Sequence, residues 1–411
     1  MRAFRAAAPC LPKAPTMKTW TRITLATLLA AATLAGCGKK EADTGSGAPT
    51  ASVQAPGTDV IRIGEVGPLS GGDAHLGKDN ENGAMLAADE INAAGGVKLA
   101  GKSYHVEILA EDDKGDPREA TLAAQKLVDE GVVAVVGHLN SGCSIPASKI
   151  YHDAGVAEVS PSTTAIKYTE QGFDTAFRVL ANDRRQGTAL ADYAVDSMHA
   201  KTAAVIDDRT AYGQGLADVV EQTLKQRGVT IVAREYTNDK ATDFSAILTR
   251  IRAAHPDVIF YGGMDATAGP MARQMQELAI KAPLLAGDGA CSPQFITLAG
   301  SAAGVLTCSQ AGEAVENLPK GAAFLAKYRA KFGTPVEIYA PYAYDAVYLI
   351  VDAIRRAGSL DRAAVRKAIA AADYDGLTGH IAFDAKGDLR GGAITMFHVQ
   401  DGKLAYLTTL R

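Results

Sequence analysis

Short apolar runs alternate with longer amphipathic segments from Asp59 onward. Residues 61–66 have the pattern of a β-strand, and residues 82–92 carry apolar side chains at helical spacing. Residues 132–136 form a continuous apolar run, which is typical of a strand buried on both faces of a parallel sheet. Because strands and helices keep alternating, the pattern predicts an α/β protein with parallel sheets flanked by helices.

Two series of these units follow one another, and the pattern changes after residue 312. The later segment has mainly helical spacing with short strands at its end, which indicates a return to the first series. We therefore expect two lobes, with ligands bound where the carboxyl ends of their sheets face each other. The predicted first lobe comprises residues 59–181 and 312–390, and the second comprises 182–311 and 391–411.

The N-terminal segment has the parts of a signal peptide, predicted at residues 1–36 with Met17 as the better start. Its apolar stretch of about 13 residues is shorter than the roughly 20 that span a bilayer. The run L-A-G-C ending at Cys37 resembles a bacterial lipobox, which predicts lipidation of Cys37. Residues 38–58 are polar and rich in small residues, as in a flexible tether. We therefore expect a periplasmic, membrane-anchored lipoprotein.

Charge and motif content exclude several classes of function. Removing residues 1–36, which hold five Lys/Arg and no Asp/Glu, moves the formal charge from -4 to -9. An acidic chain without a basic cluster does not suggest nucleic-acid binding. No phosphate-binding loop is present, and Gly213-Gln214-Gly215 lacks a third glycine, so we expect no cofactor. The eight histidines are scattered and no Cys-x-x-Cys occurs, so no metal site is predicted.

The remaining cysteines are expected to form one disulfide in an oxidising compartment. Cys291 and Cys308 end two successive structural units and flank a predicted helix at 293–299, so we pair them. Cys143 is then left as a free thiol. An enzyme would need an unrecognised nucleophile, for which Cys143 is the candidate, but no Gly-x-Ser-x-Gly elbow surrounds Ser141 and no catalytic residue is predicted.

Polar loops follow several predicted strands, at residues 138–144, 160–164, 207–213, 264–265 and 288–289. Hydroxyls and helix N-termini suit an α-carboxylate, and a carboxylate in the opposing lobe suits an ammonium. These loops therefore predict a site for a zwitterion, although Ser, Thr, Asn and Asp are also ordinary turn and cap residues. We expect the adjacent carboxylates at 112–113 and 207–208 to be solvated.

Several motifs resemble those of the leucine/isoleucine/valine-binding proteins of bacterial ABC importers, which are type I periplasmic binding proteins. The resemblance covers nearly all of residues 59–411 and implies two Rossmann-like lobes joined by a three-segment hinge. It also implies a monomer that binds a branched-chain amino acid and partners a membrane permease. The motifs include G-P-L-S-G at 67–71, D-E-I-N-A-A-G-G at 89–96, G-H-L at 137–139, Y-G-Q-G at 212–215 and Y-G-G at 261–263.

The resemblance also implies roles for the polar end of the site. Ser141 is expected to bind the ligand carboxylate, with the hydroxyl and backbone N–H of Thr164 nearby. The backbone carbonyl of Ser162 and the carboxylate of Asp288 are expected to hold the ammonium. Tyr212 is expected to close over the ligand from the second lobe.

Leu76, Leu139 and Met264 fall where the family lines its side-chain pocket. Members of the family often have tyrosine in place of Leu76 and Met264, and glutamate in place of Asp288, so the preferred amino acid does not follow. The family's disulfide in the first lobe is also absent. These departures leave open a ligand such as another small amide, urea or an aromatic carboxylate, or a role as a ligand-sensing module.

Overall fold

The computed structural model describes residues 59–411. The predicted signal peptide at 1–36, the lipidation site Cys37 and the tether at 38–58 lie outside the described residues. Within the described part of the chain, no helix combines the length and apolar character needed to cross a membrane.

Six strands form the first sheet within residues 59–411: β1 (Asp59–Gly67), β2 (Val97–Leu99), β3 (Lys102–Asp112), β4 (Ala134–Gly137), β5 (Ala157–Ser160) and β6 (Ala176–Arg178). Their order is β2-β3-β1-β4-β5-β6, and all neighbours are parallel except β2 and β3. Every residue of β4, β5 and β6 is buried, as expected for a sheet covered on both faces. The loops after β1, β4 and β5 consequently meet at one edge.

The second sheet repeats this plan with β7 (Thr202–Asp207), β8 (Thr230–Tyr236), β9 (Val258–Gly262), β10 (Leu284–Ala286) and β11 (Leu306–Gln310). After a short hairpin of β12 (Tyr374–Asp375) and β13 (His380–Ile381), the chain adds β14 (Ile394–Gln400) and β15 (Lys403–Leu410). The order is β15-β14-β11-β10-β9-β7-β8, in which β14 and β15 are antiparallel to their neighbours.

Helices connect the strands and cover the sheets. They are α1 (Ala74–Ala93), α2 (Pro117–Asp129), α3 (Ser141–Asp153), α4 (Ile166–Glu170), α5 (Asp183–Asp196), α6 (Ala211–Gln226), α7 (Ser245–Ala254), α8 (Asp265–Glu277), α9 (Pro293–Ala299), α10 (Gly321–Phe332), α11 (Ala340–Ala357) and α12 (Arg362–Ala370). Short 3-10 turns occupy Asp288–Ala290, Gly300–Val305 and Val315–Asn317.

Packing divides these elements between the two sheets. Helix α5 packs on α6 beside the second sheet, whereas α11 packs on α1 and on strands of the first sheet. Helix α12 likewise contacts β4 and β5. The chain therefore returns to the first sheet after β11 and to the second with β14. The domain boundaries at residues 181, 311 and 390 stay a prediction.

Helix α1 begins about two turns before the start that apolar spacing predicts at residue 82. Its first turns contain polar residues that are nevertheless buried, including Asp79. The Asp79 carboxylate accepts backbone N–H groups of residues 338–340 at 2.7–3.0 Å and so caps the start of α11. Burial raises the pKa of Asp79, while these N–H groups offset part of the rise. Asp79, whose polar side chain suggests exposure to solvent, is therefore a buried helix cap.

The adjacent carboxylates are also buried, so the prediction that they are solvated is wrong for Asp113, Asp207 and Asp208. Each finds its own partner, because adjacent side chains point in different directions. Asp113 lies 2.7 Å from the His138 ring nitrogen, and Asp207 pairs with Arg234 at 2.5 Å. Asp208 accepts the backbone N–H of residue 210 at 2.9 Å.

The cysteines are arranged around the cores of the two lobes. Cys291 and Cys308 are joined by a disulfide with a Cα–Cα distance of 5.5 Å, which ties the turn after β10 to β11. Cys143 is a buried free thiol in α3.

Candidate ligand-binding site

A cavity of about 440 Å³ lies where loops of the two sheets face each other. The first lobe contributes Leu139, Ser141 and Ser162 to its wall, and the second contributes Tyr212 and Met264. The structure therefore brings together five of the eight residues assigned to the ligand. A larger cavity of about 510 Å³ lies beside residues 310–318, just after β11, and contains none of the eight.

The N-terminus of α3 forms one side of this cavity. Ser141 is the first residue of the helix, and its Oγ accepts the backbone N–H of Ala165 at 3.3 Å. The N-cap residue Asn140 makes no side-chain cap, and its amide nitrogen donates to Asp73 at 3.0 Å. Exposed N–H groups and the helix dipole at such an end favour an anion such as a carboxylate.

Arg178 fixes the loop that follows β5. Its side chain is fully buried and donates to the carbonyl oxygens of Thr163 and Ala165, each at 2.9 Å. Its Nε also donates to Asp388 at 2.6 Å, so the buried charge has a counter-ion. This clamp determines the backbone on both sides of Thr164. Thr164 itself is buried and does not line the cavity.

Asp288 lies one layer behind the cavity wall. It is 1% exposed, and its two oxygens accept the hydroxyls of Tyr212 at 2.8 Å and Tyr339 at 3.0 Å. The Tyr212 hydroxyl in turn accepts the backbone N–H of Gly289 at 3.0 Å. Burial raises the pKa of Asp288, and the two tyrosine hydroxyls offset part of the rise. Sequence reasoning missed Tyr339, which lines the cavity from the start of α11.

The three apolar residues assigned to the side-chain pocket have different environments. Leu139 and Met264 line the cavity, whereas Leu76 is fully buried and packs in the core behind it. A Cβ added at Gly289 would lie 2.6 Å from the Met264 sulfur, so glycine at this position leaves room for the methionine. Methionine is flexible enough to adapt to aliphatic side chains of different shape.

The contact between His75 and Asp265 across the cleft could not be predicted from the sequence. His75 of α1 lies 2.8 Å from the carboxylate of Asp265, the first residue of α8. Asp265 is fully buried and also accepts the Ser292 hydroxyl. Burial lowers the pKa of His75, but the hydrogen bond and charge of Asp265 more than compensate, so the pKa is raised. The pair connects α1 of the first lobe to α8 of the second.

Metal and nucleophile chemistry find no support in the described residues. No group of three or more His, Cys, Asp or Glu side chains among them is placed to hold a metal ion. Burial raises the pKa of the Cys143 thiol, and the charges of Asp113 and Asp116 raise it further. Because the thiolate is the reactive form, this cysteine is poorly suited to act as a nucleophile.

Residues 60–403 match a family model described as a periplasmic binding protein. The chain belongs to the periplasmic binding protein family. This family member is 35% identical over 344 residues to Leu/Ile/Val-binding protein homolog 1 of Brucella suis, covering 83% of this chain and 91% of the relative. It is 33% identical over 340 residues to the leucine-, isoleucine-, valine-, threonine- and alanine-binding protein of Pseudomonas aeruginosa. The match covers 82% of this chain and 90% of that relative.

Solved structures place this periplasmic binding protein in the same fold. The leucine-binding protein LivK of Thermotoga maritima superposes with a TM-score of 0.79 at 28% identity, covering 85% of this chain and 99% of that one. LivJ of Streptococcus pneumoniae, in complex with isoleucine, gives 0.78 at 31% identity with the same coverage. The prediction of a two-lobed type I periplasmic binding protein fold, and the resemblance that led to it, are confirmed.

Proposed function

We propose that this protein is the substrate-binding component of an ABC importer and that it binds leucine, isoleucine and valine in the cleft. The supporting observation is a cavity with a helix N-terminus on one lobe and a tyrosine-held carboxylate behind the wall of the other. Leu139 and Met264 add apolar surface suited to an aliphatic side chain. The relatives named for binding these amino acids support the same choice.

Each end of the ligand has assigned partners in this proposal. Ser141 and the N-terminus of α3 bind the carboxylate, with Thr164 close by. The backbone carbonyl of Ser162 and the carboxylate of Asp288 receive the ammonium, and Tyr212 covers it. Burying both charges of a zwitterion is favourable only if each is paired, so these polar contacts determine selectivity for α-amino acids.

The protein performs no catalytic turnover in this proposal. Hinge closure excludes water from the ligand, and the closed form docks as a monomer on the membrane permease, with ATP hydrolysed by other subunits. The periplasmic location expected of the family fits this role. Lipid on Cys37 would keep the domain beside the membrane that holds the permease.

An acidic wall favours a second candidate, a small amide. Asp73, Asp208 and Asp239 line the same cavity, together with Arg209, the single cation among the described residues of its wall. Burial raises the pKa of Asp73 and of Asp208 to about 6, so both are largely ionised at neutral pH and can accept hydrogen bonds from a ligand. A side-chain amide would supply such donors, whereas an isobutyl group would not.

Isothermal titration calorimetry of the lipid-free protein distinguishes the two candidates. We expect leucine, isoleucine and valine to bind at micromolar or lower Kd, which corresponds to about 8 kcal/mol or more. Asparagine, glutamine and urea serve as amide probes and are expected to bind more weakly. Tight binding of an amide without measurable binding of leucine would favour the second candidate.

A further inference from the structure

A cluster of buried polar side chains lies behind Tyr212 and Tyr339. It contains Thr164, Asp183 and Gln186, which are fully buried, together with Asp288. Asp183 is the first residue of α5, and its backbone N–H donates to the carbonyl of Thr164 at 2.8 Å. The cluster therefore joins the loop after β5 in the first lobe to the start of α5 in the second lobe.

Much of this cluster lacks hydrogen-bond partners among the described residues. Both carboxylate oxygens of Asp183, both amide atoms of Gln186 and the Thr164 hydroxyl are buried without a partner. Buried polar groups are nearly always hydrogen-bonded, and leaving one unpaired costs about 1–3 kcal/mol. Three of these atoms, the two Asp183 oxygens and the Gln186 carbonyl oxygen, are acceptors and suit a group that brings several donors. An ammonium brings three.

The two carboxyl groups of the cluster influence each other. Burial and, to a smaller extent, the charge of Asp288 together raise the pKa of Asp183 to about 7, while the charge of Arg178 acts in the opposite direction. Tyr212 is the other titratable group that faces Asp183, and its pKa is raised well above the ordinary value, so it stays neutral. Arg178 is engaged by Asp388 and does not neutralise the pair.

We propose that Asp183 and Asp288 form one carboxyl pair that receives the ligand ammonium, and that binding expels a proton from this pair into the solvent. This inference rests on the proposed function. Without ligand, two like charges in a buried site favour retention of a proton on one carboxyl group. The arriving ammonium replaces that proton as the positive charge, with the hydroxyls of Tyr212 and Tyr339 moving aside to admit it.

The expected pH dependence follows from this exchange. The ligand lowers the pKa of the pair, so binding is strongest above the pKa of the empty site and weakens as pH falls through it. Because Asp183 has a pKa of about 7, affinity should fall toward about tenfold per pH unit below neutrality and level off above it.

His75 acts in the opposite direction. It faces Asp265 across the cleft, with Glu337 and Asp73 also contributing charge, so closure raises its pKa and takes up a proton. His75→Gln removes this contribution and is the background in which the carboxyl pair is best examined. Asp196→Asn, an exposed change on the same helix α5, is the matched control for Asp183→Asn.

The test is calorimetric titration of leucine at about pH 7 in buffers of different ionisation enthalpy, which counts the protons exchanged. In the His75→Gln protein we expect release of roughly half a proton, as for a group titrating near that pH. Asp183→Asn should abolish the release and flatten the pH profile, whereas Asp196→Asn should leave both unchanged. Equal release with Asp183→Asn, or no release in the His75→Gln protein, would overturn the inference.

The outcome is distinguishable from failure of the proposed function. If no aliphatic amino acid binds in any buffer, the proposed function itself fails and the inference fails with it. If leucine binds tightly without proton release, the function stands and the carboxyl pair is refuted. The measurement on the His75→Gln protein decides this even if Asp183→Asn does not fold.

Discussion

Replacing Arg178 with lysine should destabilise the protein and weaken ligand binding together. The guanidinium makes four hydrogen bonds at 2.6–2.9 Å, to Asp388, two loop carbonyls and the Thr169 hydroxyl, and it is fully buried. Lysine keeps the charge but offers one compact donor group instead of a planar fork, so it cannot reach all these acceptors.

The expected loss is about 3 kcal/mol of unfolding free energy. Hydrogen bonds to a charged group contribute roughly 1.5–3 kcal/mol each, and breaking a buried ion pair outright destabilises by about 3–5 kcal/mol. Lysine should retain the contact with Asp388 and lose the clamp on the loop carbonyls. Because that loop positions Thr164, we also expect leucine affinity to fall by about tenfold or more.

Urea denaturation followed by far-UV circular dichroism measures this loss. The single tryptophan of the sequence, Trp20, lies within the predicted signal peptide, so its fluorescence would not report on the folded lobes. Arg184→Lys is the matched control, since its side chain is 66% exposed, and surface changes usually stay within about 0.5 kcal/mol. A loss below about 1 kcal/mol for Arg178→Lys would refute the reasoning.

Three further predictions address charge and covalent structure. Asp288→Ala should weaken leucine binding by about 2–5 kcal/mol in calorimetry, because the buried ammonium loses a partner; near-normal affinity would show that another acid holds it. Burial raises the pKa of Glu65 in the folded protein, so the contribution of this carboxyl group to the free energy of unfolding is present below its unfolded pKa and is lost as pH rises. Glu65→Gln should therefore increase stability toward urea at about pH 8, and no gain would contradict this. Replacing Cys291 and Cys308 with serine should lower the unfolding free energy by about 3 kcal/mol in the same assay, as expected for a loop of this length, and an unchanged midpoint would contradict the estimate.

The fold was largely predictable because its main signal is local. Apolar runs of strand length, separated by amphipathic segments, required parallel sheets covered by helices, and the change after residue 312 indicated the return to the first lobe. The loops at the carboxyl ends of strands followed from the same alternation. Two of these loops contain Ser141 and Met264, whose roles at the ligand were implied by the family resemblance.

Features that depend on distant partners were not predictable. Asp79 looks like a surface residue of α1, yet it caps a helix more than 250 residues away in sequence. His75 and Asp265 meet across the cleft from elements 190 residues apart. Tyr339 reaches Asp288 because α11 returns to the first lobe. Buried polar side chains are partnered by tertiary structure, and their residue type alone suggests exposure.

The central claim is that the cleft recognises a free α-amino acid through both charged groups. Calorimetric titration should compare leucine with 4-methylpentanoate, which lacks the ammonium, and with 3-methylbutylamine, which lacks the carboxylate. We predict that leucine binds at micromolar or lower Kd and that each analogue binds weaker by a factor on the order of 10⁴, because a buried partner is left unpaired. Binding of either analogue within tenfold of leucine, or no binding of leucine, would contradict the claim.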